Sequence, residues 1–510
     1  MTKVRGLLLC ACAALAGATA ATARAGLDVG VTEDTGKTDG GAAFFTTLAD
    51  VGLTLNRVSI NWDPATPTTI GGQAEIASWL PQAQASGTRV VFAVAPQRAT
   101  DLTVSPSARP LFAAFLRQLA QTFPTVKGYV IGNEPNQPRF WLPQFDPGTG
   151  KPLAAAAYLP VLADSYDALK AVDPNIKVIG VGLSPRGNDL PFARNNISRS
   201  PVRFLRDLGL AYRASKRTKP LMDELAFHPY PGRNSDAPDV GYAWPNAGIP
   251  NLDRIKQAVW DAFNGTAQPT FAESGRSIAN PIRLDLDEVG WQVAPLPALA
   301  SLYFGSESQG LVTVSEDEQA GYYTDVIDMA ECDPTVRMLS FFHLRDELDL
   351  DRWQSGLIRA DGSRRPSYDA VKQSIAQGHG NCQGPKKKWK HATAVILPVV
   401  AWGNLRKPFK PSRSRWGFTA GAGEETDFRT GIFKAGPRKA VLAKRLAIGR
   451  PKPVLFAKGT IKAKTRVVYF PAGKLKPGAY VFAIRMAATM NPKRVSIFVS
   501  QRFRVGPRRR

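Results

Sequence analysis

The chain has only four cysteines and four histidines in 510 residues, and its last quarter has almost no acidic side chains. Neither cysteine beyond residue 25 stands at metal-ligand spacing from a histidine, so no zinc site is legible and no cofactor is called for. Long apolar runs are also missing. After residue 25 no segment approaches the roughly 20 apolar residues that span a bilayer, which argues against an integral membrane segment. A glycine-rich phosphate loop is missing too. The turn after the first strand-like run reads Val31-Thr32-Glu33-Asp34-Thr35-Gly36-Lys37, neither a Rossmann nor a Walker pattern.

Residues 1–25 read as a signal peptide. Lys3 and Arg5 form a charged start, 7–20 are apolar and small, and Ala23-Arg24-Ala25 is an A-x-A cleavage site. Cys10 and Cys12 sit too early for a lipoprotein box. The mature chain is expected to be secreted or cell-wall associated, with a bacterial composition. Cys332 and Cys382 then remain, and an oxidising compartment suggests a disulfide tying the end of the first unit to its last helix.

The net charge of +24 conceals two differently composed units. Residues 385–510 hold 31 Lys and Arg against three acids, a balance of +28, while 1–384 hold 35 basic and 39 acidic residues, a balance of −4. The join at 381–391 is rich in Gly, Pro and Lys and reads as a basic linker between a unit at 26–380 and another at 392–510. In the second, short β-branched and aromatic runs at 454–457, 465–470, 479–484 and 495–499 alternate with Pro/Gly turns, which suggests a β-sandwich. Its charge could hold the protein on an anionic cell-wall polymer through a salt-screened field. No nucleic-acid reading module is recognisable.

The first unit alternates strand-like runs (27–32, 54–60, 88–95, 126–132, 176–182, 222–228, 281–288, 337–343) with amphipathic stretches such as 107–122, 154–172, 202–215, 252–263 and 318–331. Eight such repeats predict an α/β fold, a (β/α)8 TIM barrel, with an open doubly wound sheet as runner-up. In a barrel, chemistry sits at the C-terminal strand ends. Polar and aromatic residues gather there: Arg57 and Trp62 at the second strand, Asn133, Glu134 and Trp141 at the fourth, His228 and Tyr230 at the sixth, Glu288 and Trp291 at the seventh, and His343 at the eighth. Glu134 and Glu288, 154 residues apart, would then face one another, as cleavage of a glycosidic bond requires. Glu273 is a rival for Glu288, and a one-residue slip would exchange Glu288 for Asp287.

Asn133-Glu134-Pro135 after the fourth strand, Glu288-Val-Gly-Trp after the seventh and His228-Pro-Tyr230 after the sixth resemble the clan A glycoside hydrolases, which are retaining glycosidases on TIM barrels. The tail Gly356-Leu357, Asp361-Gly362 and Arg365-Pro366-Ser367-Tyr368 resembles the segment that closes many of these barrels. The C-terminal unit resembles immunoglobulin-like modules. The resemblance implies Glu134 as acid/base, Glu288 as nucleophile, Asn133 on the sugar 2-hydroxyl, and a carbohydrate substrate. Tyr230 and Arg57 would hold Glu288 ionised, Trp62, Trp141 and Trp291 would stack on sugar rings, and His228 and His343 would complete the site. Xylosidase-like and endo-glucanase or mannanase-like families both stay open. One departure stands out: many members carry a Trp after the eighth strand, where this chain has Phe342-His343. A barrel that binds carbohydrate without cleaving it, or a wall-adhesion protein anchored by its basic unit, therefore remains an alternative.

Overall fold

In the computed structural model, eight parallel strands close into a barrel in the order β1 to β8. The described residues are 26–378, 382–391, 417–421, 426–434, 453–461, 465–469, 475–489, 495–499 and 503–505; the leader read at 1–25 lies outside them. The strands are β1 (Asp28–Thr32), β2 (Leu55–Trp62), β3 (Arg89–Pro96), β4 (Gly128–Ile131), β5 (Lys177–Leu183), β6 (Glu224–Phe227), β7 (Arg283–Val289) and β8 (Val336–Phe341). Helices α1 (Ala42–Val51), α2 (Gln73–Ala85), α3 (Ala108–Thr122), α4 (Ala154–Val172), α5 (Pro201–Ser215), α6 (Leu252–Phe263), α7 (Glu316–Glu331) and α8 (Pro366–Gly378) follow the strands in turn.

Local chemistry explains the boundaries. Pro201 opens α5, where its missing N–H is not needed. A capping box opens α7: the Glu318 N–H donates to Ser315 Oγ at 3.1 Å and the Ser315 N–H to the Glu318 carboxylate at 2.8 Å. Gly30 lets β1 and β2 meet, since a Cβ there would lie 2.1 Å from the Leu55 carbonyl oxygen. Inside the barrel Leu55, Val91, Ala93, Val130, Ile179, Ala226 and Met338 form a dry plug, and a much larger core fills the space between strands and helices.

The tail of the first unit locks the barrel shut. Arg365 grips Asp346 at 2.6 and 2.7 Å, and the Tyr368 hydroxyl donates to Asp50 on α1 at 2.8 Å. The Cys332–Cys382 disulfide is formed. The stretch read as a linker is docked where it is described. Trp389 is buried in the barrel core, its N–H donates to Ser274 Oγ at 3.0 Å, and His391 stacks on Trp260 at 3.9 Å. Over 387–391 alternate residues face the barrel, and Lys386, Lys388 and Lys390 are exposed.

The C-terminal residues form antiparallel sheets. Strands β10 (Thr426–Lys434), β11 (Leu455–Ile461), β13 (Gly478–Ala488), β14 (Val495–Val499) and β15 (Phe503–Val505) make a five-stranded sheet, and β9 (Gly417–Gly421) pairs with β12 (Thr465–Tyr469). The all-β reading therefore holds for the described part of this unit. No helix among the described residues is long and apolar enough to cross a membrane.

Candidate active site

The site is built from β2, β7 and the loops after β4 and β6. Strand β7 carries its key feature. Its pairing with β8 slips between Leu286 and Val289, so one extra residue is accommodated and two successive carboxylates, Asp287 and Glu288, are both buried here. The expectation that only one of them could point inward is corrected by this bulge.

Arg57, at 2% exposure, faces these carboxylates across the barrel. Its Nε lies 3.0 Å from Asp287 Oδ2 and its Nη1 3.0 Å from Glu288 Oε1. Its Nη2 donates to Asn133 Oδ1 at 3.1 Å, which turns the Asn133 amide so that its NH2 group is free to face a ligand. Glu134 follows in a strained backbone position, φ 37°, uncommon for a residue with a Cβ. Its N–H donates to the Gly182 carbonyl at 2.8 Å. Asn136 anchors the same loop, bonding Ser184 through both ends of its amide and Arg199 through its NH2 group.

His228 joins the parts. The side chain is fully buried, with Nδ1 3.0 Å from Glu134 Oε1 and 3.4 Å from Glu288 Oε2, and Nε2 3.3 Å from Asp287 Oδ1. The Nε2 contact is an ion pair off the hydrogen-bond axis. Both ring nitrogens thus face carboxylate oxygens, which only accept, so the ring fits as an imidazolium. Burial opposes that charge, but the Glu288 and Asp287 charges, with the hydrogen bond to Glu134, overcome it and push the pKa up from 6.5 to about 10. Gly182 lies beside the ring at φ 56°, a left-handed conformation that favours glycine; a Cβ there would only reach ordinary contact with His228 Nε2 at 3.4 Å, so the backbone and not space calls for glycine.

The neighbours respond in kind. Burial would raise the Asp287 pKa, yet His228 and Arg57 bring it below its ordinary value. For Glu288 burial wins and the pKa rises, with Asp287 and Glu134 adding to the effect and His228 and Arg57 opposing it. The Tyr230 hydroxyl donates to Glu288 Oε2 at 3.1 Å; burial and the Glu288 and Glu134 charges hold its proton firmly.

The remaining expected residues are placed differently. Trp62 and Trp141, read as stacking groups, are packing residues. Trp62 meets Phe112 edge-on at 5.3 Å and donates to the Pro67 carbonyl, and Trp141 meets Tyr158 at 5.5 Å. Trp62 at the end of β2 and Trp141 in the loop after β4 are each covered by a helix, α3 through Phe112 and α4 through Tyr158. Trp291 is 1% exposed, its N–H bonded to the Asp236 carbonyl at 2.8 Å; it ties the loops after β6 and β7 together. His343 is buried with Nδ1 2.8 Å from the Thr32 carbonyl and Nε2 3.5 Å from Glu347, a brace between β1 and the loop after β8. Arg57 stands on Glu288, as expected of a residue that holds it ionised, and His228, expected to complete the site, is buried against the carboxylates and not open to a substrate. Glu273 lies in the connection before β7, at the opposite end of the barrel, and is bonded to His391, so it is no rival to Glu288.

Sequence reasoning misses Trp353. This half-buried ring lies 4.7 Å from Tyr230 and edge-on to Phe342 at 5.6 Å, beside the Tyr230–Glu288 bond. A tryptophan within the polar run Asp351-Arg352-Trp353-Gln354 is the available signal. Among the described residues no cluster of His, Cys, Asp and Glu is arranged to hold a metal ion.

No protein-family model matches this sequence, and no curated protein matches it. Solved structures with a similar chain course include glycoside hydrolases. A family 39 glycoside hydrolase from Bacteroides cellulosilyticus WH2 is 15% identical with a TM-score of 0.48, over 88% of this chain and 82% of that one. A monomeric beta-xylosidase from Caulobacter crescentus CB15 is 14% identical, TM-score 0.43, over 88% and 94%. A GH5_18 protein from Streptomyces cattleya is 17% identical, TM-score 0.45, over 71% and 83%.

Proposed function

We propose that this chain is a retaining glycoside hydrolase, secreted or held at the cell wall, that cleaves O-glycosidic bonds by a two-glutamate double displacement. The carrying observation is that Glu134 and Glu288 meet at one nitrogen. One oxygen of each, Glu134 Oε1 and Glu288 Oε2, lies 3.0 and 3.4 Å from His228 Nδ1, so these two oxygens are at most about 6.4 Å apart, a shared contact that suits a closely spaced pair. An inverting pair needs roughly 6.5–9.5 Å between carboxyls to admit a water, whereas a retaining pair stands about 5–5.5 Å apart.

The surroundings support unequal roles. Glu288 faces three donors, Arg57, Tyr230 and His228, and the Arg57 and His228 cations offset part of the rise that burial imposes on its pKa. Glu134 meets only His228 of these. Glu288 attacks the anomeric carbon as the bond to the leaving oxygen breaks, and Glu134 gives that oxygen its proton. Water then attacks the glycosyl ester, gives its proton to Glu134, and releases Glu288 as carboxylate. The free NH2 of Asn133 is placed for the sugar 2-hydroxyl, and Trp353 offers a ring face next to the nucleophile. The basic C-terminal unit, with the exposed lysines of the strap, suits retention on an anionic wall polymer.

The test is hydrolysis of a panel of aryl glycosides and polysaccharides, with the first-formed anomer read by proton NMR. Retention of configuration, and loss of turnover in Glu288→Gln with binding preserved, are expected. An inverted product, or an active Glu288→Gln enzyme, would overturn the reading.

A further inference from the structure

The two-glutamate mechanism leaves Asp287 without a task, although this carboxylate is completely buried beside the reacting pair. We propose that Asp287 is a positioning residue: through the far nitrogen of His228 and the Nε of Arg57, it fixes in place the two cations that hold Glu134 and Glu288. The inference rests on the glycosidase reading for its kinetic consequence but not for its structural one.

Asp287 touches Arg57 Nε at 3.0 Å and His228 Nε2 at 3.3 Å, while the other ends of the same two side chains reach Glu288 at 3.0 and 3.4 Å. One carboxylate therefore stands behind both cations, on the side away from the substrate. Its own backbone is pinned, since Thr32 Oγ1 donates to the Asp287 carbonyl at 2.5 Å. The bulge on β7 is what brings this residue inward together with Glu288. The ionisable groups facing His228 are Glu134 from the loop after β4 and Asp287 and Glu288 from β7, with Arg57 and Tyr230 on the far side of Glu288.

The reaction gives such an arrangement a purpose. Before the first step the negative charge lies on Glu288; after it, Glu288 is an ester and Glu134 a carboxylate. A fixed imidazolium within reach of both serves each state without moving, which is the preorganisation that electrostatic catalysis needs. A neutral or tilted His228 would serve neither.

Three measurements decide the matter. Imidazole nitrogen NMR of the native protein is expected to show His228 doubly protonated at neutral pH; a neutral ring there overturns the proposal whatever the variants do. In Asp287→Asn the His228 titration should move down by about 1–3 units, the span of one lost opposite charge at contact, and the acid limb of the kcat/KM profile should shift downward, because the Asp287 charge no longer raises the Glu288 pKa. An unchanged His228 titration would reduce Asp287 to a structural residue. In a double-mutant cycle, Asp287→Asn should cost less in kcat in the His228→Gln background than in the native protein, the remainder passing through Arg57, whereas fully additive losses would show that Asp287 does not act through His228. The NMR arms need no turnover, so an inactive protein with the expected His228 behaviour sinks the glycosidase reading and leaves this one standing.

Discussion

Strand β7 places two aspartates inside the barrel, two residues apart, and their protons are held in opposite ways. Asp287, near the mouth, has its pKa lowered because His228 and Arg57 outweigh burial. Asp285, toward the floor, has its pKa raised well above the ordinary value: burial and the adjacent Glu224 carboxylate dominate, and Arg337 only partly opposes them. Both are fully buried, so burial cannot be what separates them. Two cations act at each end, Arg57 and His228 on Asp287 and Arg337 and Arg89 on Asp285; the difference is their closeness and the Glu224 carboxylate beside Asp285. The mouth sets Arg57 and His228 at 3.0 and 3.3 Å from Asp287. At the floor Arg337 lies 3.5 Å from Asp285 and is committed to Glu224 at 2.7 Å. Buried charge at one end of this barrel is arranged for chemistry, and at the other for closing the strand ends.

Removing a carboxyl at each end breaks the comparison most sharply. Glu288→Gln should lower kcat/KM by on the order of 10⁴-fold or more, and Glu134→Gln by about 10²–10⁴-fold. Asp285→Asn should leave kcat/KM within about threefold, since its side chain touches nothing at the mouth. Steady-state kinetics on one aryl glycoside compares all three, and a large loss in Asp285→Asn would show that the two clusters are not separate.

Stability should respond in the reverse sense. Arg337→Met keeps the apolar stem but strips the cation from Glu224 and Asp285, leaving buried carboxyls without a partner. That costs about 3–5 kcal/mol in comparable cases, less to the extent that Arg337 is itself 21% exposed. Urea unfolding should register the loss, while the folded fraction turns over at the native rate.

The pH dependence of stability follows from the same groups. His228 has a folded pKa raised from 6.5 to about 10, so its contribution is complete below pH 6.5 and is lost as pH rises toward 10. Asp287, with a lowered folded pKa, contributes above its unfolded value of 3.8 and loses that contribution as pH falls. Asp285 opposes it, losing stability as pH rises from 3.8. The acid side should therefore be shallow and the alkaline side steep, by on the order of a few kcal/mol. Thermal melts from pH 6 to 10 should show the fall in the native protein and a flatter profile in His228→Gln.

Much of this architecture is legible in the amino-acid order alone. Period and spacing place all eight strands within a few residues, because a parallel barrel buries each strand on both faces and leaves near-continuous apolar runs. The glutamates are legible because strand-ending carboxyls before Pro135 and Gly290 stand out against those runs. The bulge on β7 is not: which of Asp287 and Glu288 turns inward depends on pairing with β8, which no local pattern encodes. The tryptophans mislead for a related reason. Trp62 ends β2 and Trp353 lies in the loop after β8, and only the packing around them decides that one is sealed against Phe112 while the other stays half-open. The strap at 382–391 has the composition of a linker, and Trp389 alone hints that it docks.

The smallest expected effect separates the shape of the mouth from its charge. Trp353 makes no bond to either glutamate; it lies against Tyr230 at 4.7 Å, and its backbone N–H donates to Glu347 at 3.1 Å. If its ring is a sugar platform, Trp353→Ala removes a stacking surface worth about 1 kcal/mol, roughly fivefold in KM. The charged groups stay where they are, so kcat and the pH limits of kcat should be unchanged. A fall in kcat with constant KM would mean that the ring instead braces Tyr230 on Glu288, and Tyr230→Phe should then reproduce the same loss.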